Sequence, residues 1–177
     1  MNEKQRRMTR EVLHSEEAIA LRVAALAKKI ARAPLLPDIA MPILVGGFVF
    51  AGDLVRALAR EGVELEIEML WLRSYGDSRV ASAISMIAGP SEQIAGRHVL
   101  VIDGVLDFGR TIKKAVGLIE AAGAASVQVA VALDKKRPDA VAKADYVAFE
   151  AGNDFVIGYG MDDAGKYRAL PYIGRVG

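Results

Sequence analysis

The chain has no cysteine. That excludes disulfides, thiolate metal sites and cysteine nucleophiles, and it suits a reducing compartment, so a cytoplasmic location is expected. It also has little net charge: lysine and arginine total 23 against 22 acids, a formal +1. So even a balance implies no broad electrostatic pull on nucleic acid or membrane. Long apolar runs are lacking, and none approaches the ~20 residues that a membrane helix needs. Residues 1–10 are polar and basic with no apolar stretch behind them, so they do not read as a signal peptide. Lys4, Arg6, Arg7 and Arg10 there form a short basic tail, read as a solvated terminus. Neither Gly-x-Gly-x-x-Gly nor Gly-x-x-x-x-Gly-Lys-Ser/Thr occurs, which disfavours the common nucleotide-binding loops. There is no internal repeat and no low-complexity linker. What remains is an ordinary globular composition, 53% hydrophobic and 25% charged over 177 residues. It reads as a single domain, 1–177, large enough to bury its own core.

Helical and strand patterns alternate along this chain. Ser15 caps a helix whose apolar residues Ile19, Val23, Leu26 and Ile30 recur at helical spacing, with Arg22, Lys28, Lys29 and Arg32 largely off that stripe. Pro34 and Pro37 then interrupt the chain. Residues 43–45 read as a short apolar strand running into Gly46 and Gly47. A second helix follows, with Ala51, Leu54, Val55 and Leu58 on one face and Gly62 as its C′ residue. Over 64–71 charge and apolarity alternate, which places Leu65, Ile67, Met69 and Trp71 inside and Glu64, Glu66 and Glu68 outside a half-buried strand. Residues 73–82 read as a polar loop and 83–88 as a further strand. Residues 99–102 form a fully apolar strand, 103–110 a loop, and 111–122 a helix ended by Gly123. Strands are expected again at 127–133, 146–149 and 155–159. Alternation of this kind predicts an α/β fold, a mainly parallel sheet flanked by helices. Ligands of such sheets sit at the carboxyl ends of the strands, so the segments that follow strands are the ones to inspect.

The segment after the central strand is His-Val-Leu-Val-Ile-Asp-Gly-Val-Leu-Asp-Phe-Gly-Arg-Thr-Ile, residues 98–112. An apolar strand delivers Asp103, and a loop carries Asp107, Gly109, Arg110 and Thr111 to a helix start. Free N–H groups and the positive dipole end make such a start an anion site. Gly109 lets a phosphate approach the backbone, and Thr111 adds a hydroxyl donor. A Gly-x-Thr by itself is only a strand–loop–helix connection; the whole segment is more specific. It resembles the phosphoribosyl-diphosphate motif of type I phosphoribosyltransferases, in which four apolar residues, two acids and two apolar residues precede Asp-Thr-Gly-x-Thr. The resemblance implies that the acids hold the ribose hydroxyls and Mg²⁺ while the loop wraps the 5′-phosphate. Asp103, Asp107, Gly109 and Thr111 keep the pattern. Gly104 stands where the second acid is expected and Phe108 where the first threonine is expected.

The resemblance runs from about residue 11 to about residue 176, closest to the hypoxanthine phosphoribosyltransferases. The stretch 44–54 looks like that branch's pyrophosphate-binding loop and helix; Gly46 is kept, and Val45 replaces the usual lysine. Ser74 and Tyr75 match a mobile loop that closes over the site and excludes water. Lys135, with Lys136 as a near miss, matches the lysine that donates to the exocyclic oxygen of a 6-oxopurine. The stretch 155–174 is the longest match. It implies that Phe155 stacks on the purine, Val156 offers backbone groups to the base edge, Asp162 binds a second Mg²⁺ beside the one at Asp103, and Arg168 contacts pyrophosphate. Asp107 is implied to act near N7 of the purine.

The expectation is therefore a phosphoribosyltransferase fold with a core over about 40–150 and a small hood made by the N-terminal segment and about 151–177. The substrates implied are phosphoribosyl diphosphate and a purine base, the cofactor Mg²⁺, and the assembly a homodimer or homotetramer. Gly104, Phe108 and Val45 leave open a second reading, a regulatory or ligand-binding protein on this fold with reduced or lost catalysis. A third, an enzyme of the same fold for another base such as xanthine, is not separated by these residues.

Overall fold

Ser15 opens the first helix as the sequence requires: its hydroxyl accepts from the Ala18 N–H at 3.3 Å. The helix it caps, α1 (Glu16–Ala31), buries Ile19, Val23, Leu26 and Ile30, the apolar stripe read from spacing alone. At ~1.5–3 kcal/mol for each fully buried aliphatic side chain, that stripe decides which way α1 faces. The computed structural model describes residues 10–74 and 84–176. It contains two sheets. The larger is built from β2 (Ile39–Leu44), β4 (Leu70–Ser74), β5 (Ile84–Ala88), β6 (His98–Leu106), β7 (Ser126–Asp134) and β8 (Tyr146–Glu150), with β3 (Glu66–Ile67) paired to the start of β2. Its order is β5-β4-β2-β6-β7-β8, and every pairing is parallel except β4 with β5. The smaller sheet is antiparallel and joins the two chain ends: β1 (Arg10–His14), β10 (Ile173–Val176) and β9 (Val156–Ile157), in that order. This is the α/β architecture with a hood that the sequence predicts.

Apolar strands need cover on both faces, and they have it. Ala40, Leu100, Ile102, Ala130 and Ala132 pack with α1 and α2 (Phe48–Arg60). Their neighbours Met41, Val99, Val101, Val129 and Val131 pack on the other side with α3 (Arg110–Ala121). Odd and even positions of one strand thus feed opposite cores, the period of two of a pleated strand. Gly62 and Gly123 follow α2 and α3 with φ of 82° and 91°, left-handed positions that end a helix without a Cβ penalty.

Several boundaries differ from the sequence reading. Strand β2 starts at Ile39, four residues before the expected 43, and runs through Pro42. Pro42 falls between the stretch paired with β3 and the stretch paired with β4, where that side of the ladder is interrupted. Residues 64–71 are not one strand. Glu68 turns aside to Ser91, its carboxylate accepting from the Ser91 hydroxyl at 2.6 Å and N–H at 3.2 Å. The alternation slips there: Leu70 and Leu72 are buried while Ile67 and Met69 are exposed. Residues 103–106 are strand, not loop, because β7 continues beside them and pairs Asp103 with Val131 and Leu106 with Asp134. At the C-terminal side, 155–159 shrinks to β9, since Gly158–Met161 bends into a tight turn.

Candidate active site

The extension of β6 sets the geometry of the site. On a strand, residues two apart share a face, so Asp103 and Val105 point to one side, and Asp107 follows in the bend just past the strand end. All three line a cavity of about 990 Å³ at the carboxyl ends of β2, β4, β6 and β7. The same cavity is lined by Val45, Gly46, Gly104, Phe108, Arg110, Thr111, Lys135, Phe155, Val156, Asp162 and Arg168. Sequence positions more than 120 apart thus converge where a parallel sheet places its ligands. Gly109 stands behind the wall. It takes φ 76° as the cap of α3, and a Cβ there would meet Ala142 at 2.9 Å and Leu106 at 3.0 Å. Ser74 ends β4, and Tyr75 lies outside the described residues.

On one wall Asp107 Oδ2 accepts from Lys135 Nζ at 2.8 Å. Lys135 reaches inward with its side chain 10% exposed. Lys136 turns outward, to Asp134 at 3.1 Å and Glu150 at 3.0 Å. The two adjacent lysines are therefore separated by direction, and it is Lys135 that faces the cavity. Phe155 presents its ring at the rim, half exposed at 54%.

On the opposite wall the Arg168 guanidinium donates to the Gly160 carbonyl at 2.6 Å and pairs with Asp162 at 2.7 Å. Asp162 also accepts from the Gly165 N–H at 2.7 Å. Asp103 sits between the walls, partly buried. Burial pushes its carboxyl up to about 7, opposed by the bond it accepts from the Gly104 N–H at 2.7 Å and by the charge of Arg168.

The turn after β2 passes very close to β6. A Cβ on Gly47 would lie 2.5 Å from the Ile102 carbonyl oxygen, so only glycine fits. A Cβ on Gly104 would lie 2.9 Å from the Gly46 carbonyl oxygen and 3.6 Å from Met161. The volume that a second acid would need at 104 is thus filled by the backbone of the 45–47 turn.

Several residues at the site are not among those the sequence points to, four of them with large or charged side chains. Trp71, Arg73 and Met161 line the cavity, and Arg137 stands behind Phe108 and Asp107. Trp71 was assigned to a core face by an alternation that slips at Glu68. The rule that ligands gather at strand ends would have recovered Trp71 and Arg73, since both belong to β4. Arg137 has no local signal for this place, because Asp107 and Phe108 precede it by about thirty residues.

A parallel sheet with this hood, and a helix start beside a carboxylate-bearing strand, is the arrangement of the phosphoribosyltransferase class. The phosphoribosyl transferase domain family matches residues 9–164. A hypoxanthine-guanine phosphoribosyltransferase of Bacillus subtilis is 35% identical over 167 residues, 92% of this chain and 91% of that protein. The bifunctional protein TilS/HprT of Listeria innocua is 36% identical over 180 residues, 98% of this chain. This chain spans only 27% of that longer protein. Among solved structures, a substituted hypoxanthine phosphoribosyltransferase from Trypanosoma cruzi, complexed with the product IMP, superposes with a TM-score of 0.86 at 31% identity, covering 98% of this chain and 94% of the other. The chain belongs to the hypoxanthine phosphoribosyltransferase family.

Proposed function

We propose that this chain transfers ribose-5-phosphate from phosphoribosyl diphosphate to N9 of a 6-oxopurine, hypoxanthine or guanine, in purine salvage. The observation that carries the reading is the Lys135–Asp107 pair at 2.8 Å on a wall of the cavity that Phe155 also lines. An ammonium with further N–H donors suits an exocyclic carbonyl oxygen, a carboxylate beside it suits the N7 side of the ring, and a half-exposed phenyl ring suits stacking. The relatives' names and the bound IMP of the Trypanosoma cruzi structure support the same substrate pair.

In this reading N9 attacks the anomeric carbon, the bond from that carbon to the pyrophosphate oxygen breaks, and pyrophosphate leaves with the electron pair. The purine proton passes to Asp107 or is balanced by its charge. Lys135 and the Val156 backbone fix the base. Asp103 holds the ribose, and Arg110 and Thr111 at the start of α3 hold the 5′-phosphate, with Gly109 shaping the turn behind them. Gly46 and Arg168 face the pyrophosphate, with Val45, Gly104 and Phe108 lining the same space without a side-chain donor.

Asp103 and Asp162 would hold Mg²⁺, which when bound neutralises the leaving pyrophosphate. The fit is chemical: Mg²⁺ takes oxygen ligands from one or two carboxylates and completes its shell with water and substrate phosphates. A buried carboxyl pushed up to about 7 is also one that a nearby cation would favour in its ionised form.

The test is base discrimination. Calorimetry with IMP and AMP is expected to show IMP bound at least about tenfold more tightly, since a site built for one hydrogen-bond pattern rejects an analogue lacking it. Lys135→Ala is expected to erase that difference. Equal affinities in the unaltered protein would contradict the 6-oxopurine assignment.

A further inference from the structure

Phe108 stands where the family pattern has a phosphate-binding threonine, and its ring has a partner outside the cavity wall. The guanidinium carbon of Arg137 lies 3.9 Å from the ring centroid. Arg110 approaches the same ring at 5.3 Å. Arg137 Nε also lies 3.4 Å from Asp107 Oδ1. That oxygen is buried and has no hydrogen-bond partner, while its twin Oδ2 is taken by Lys135. The guanidinium is held by Asp139 and Asn153: Nε donates to Asp139 Oδ1 at 3.0 Å, Nη2 to Asp139 Oδ2 at 3.3 Å and Nη1 to Asn153 Oδ1 at 3.4 Å, so the approach of Nε to Asp107 Oδ1 is a contact of charges and not a hydrogen bond.

We propose that Arg137 is a positioning residue for Asp107 during transfer, and that Phe108 is the platform that holds Arg137 in place. The inference rests on the reading of Asp107 as the carboxylate that faces the purine. In that reading Lys135 turns toward the exocyclic oxygen of the incoming base and shares its N–H groups with it. A carboxylate held by Lys135 alone would then be free to rotate. The positive charge of Arg137, 3.4 Å from the other oxygen, keeps it oriented. A planar guanidinium lying on an aromatic face, with its edge locked by Asp139, suits this role, because the stacked plane and the locked edge together leave it little freedom. A threonine at 108 offers no such face. The substitution that removes a phosphate donor thereby supplies the support of a second cation beside Asp107.

The competing account is that Arg137 only forms a surface pair with Asp139. The two accounts differ in kinetics. Initial rates with phosphoribosyl diphosphate and hypoxanthine would be measured for the unaltered protein, Arg137→Met, Arg137→Lys, Phe108→Leu and the Arg137→Met/Phe108→Leu double variant. Misplacing a reacting group is expected to lower kcat of Arg137→Met by about tenfold or more, with KM for either substrate changed by less than about threefold. Arg137→Lys keeps the charge and loses the flat stack, so it falls between. Phe108→Leu keeps the apolar volume and removes the aromatic face; it lowers kcat in the unaltered background and adds little on top of Arg137→Met, the non-additivity expected of residues acting as a unit. Thermal unfolding of each protein confirms folding, and Arg137→Lys carries the comparison should the methionine variant not fold. Full kcat in Arg137→Met, or in Arg137→Lys if that alone folds, overturns the inference and leaves the transferase reading standing, as do additive losses in the double variant. No pyrophosphate released by the unaltered protein with any purine overturns both.

Discussion

Gly104 stands where the family pattern has an acid, and the carbonyl oxygen of Gly46 would lie 2.9 Å from any Cβ added there. Backbone atoms do not step aside as the tip of a flexible side chain does. Gly104→Asp therefore does not simply return a missing carboxylate; it displaces the 45–47 turn that lines the cavity. The expected result is a KM for phosphoribosyl diphosphate raised by about tenfold and a Tm lowered by roughly 2–8 °C. Gly104→Ala, which shares the Cβ but adds no charge, is expected to show the same direction. Kinetics and thermal unfolding on the two variants check it, and tighter substrate binding with undiminished stability in Gly104→Asp would contradict the packing described here. Asp103, Asp107, Lys135 and Arg168 were legible from the sequence because each sits in a short local pattern, and the cavity collects all of them. The meaning of Gly104 and Phe108 was not legible. Each depends on a neighbour distant in sequence, Gly46 for one and Arg137 for the other, and from the sequence alone both positions read only as lost donors.

Helices were easier to place than strands, for a physical reason. The stripe of α1 repeats over four turns and survives a local error, whereas a strand's period of two is reversed by a single slip. Glu68 supplies such a slip by turning to Ser91. The hood strands carry even less signal, because β1 and β9 pair only through β10 and each is too short to show a pattern. They are tied to the core by side chains: His14 of β1 stacks on Phe149 of β8 at 3.9 Å and 20°. Burial, and secondarily the charge of Arg22, hold the His14 pKa below its ordinary value. A base whose folded pKa is lowered binds protons less readily when folded than when unfolded. Its neutral form supports the fold above the unfolded value of about 6.5, and stability is lost as pH falls below it. His14→Phe keeps the flat ring without the titration. The Tm advantage of His14→Phe over the unaltered protein is expected to widen as pH is lowered from about 7 to about 5. An advantage that stays constant over that range, followed by differential scanning calorimetry, would show that this stack does not sense protons.

At the scale of the whole molecule, one sheet brings the start of α3, the Lys135–Asp107 pair and the Arg168–Asp162 pair to one cavity. The alternation of strands and helices was enough to predict that sheet, and the match over 155–174 was enough to predict that the chain's far end closes over it. What local pattern does not carry is the joining of the ends, where Glu11 pairs with Arg175 at 2.7 Å across the hood. Such a contact exists only once the core has folded and brought the two segments together. Three polar contacts expected around phosphoribosyl diphosphate are replaced by Val45, Gly104 and Phe108. Yet the turn, the glycine and the aromatic ring are packed into a coherent site rather than left as gaps, which favours the proposed transferase over a relic. The most direct test is the initial rate of pyrophosphate release from phosphoribosyl diphosphate and hypoxanthine in the presence of Mg²⁺. The account predicts steady turnover, on the order of 1 s⁻¹ or faster, that stops when hypoxanthine is omitted or the metal is chelated. Phosphoribosyl diphosphate bound without any purine-dependent release of pyrophosphate would contradict it and would assign the chain to ligand binding.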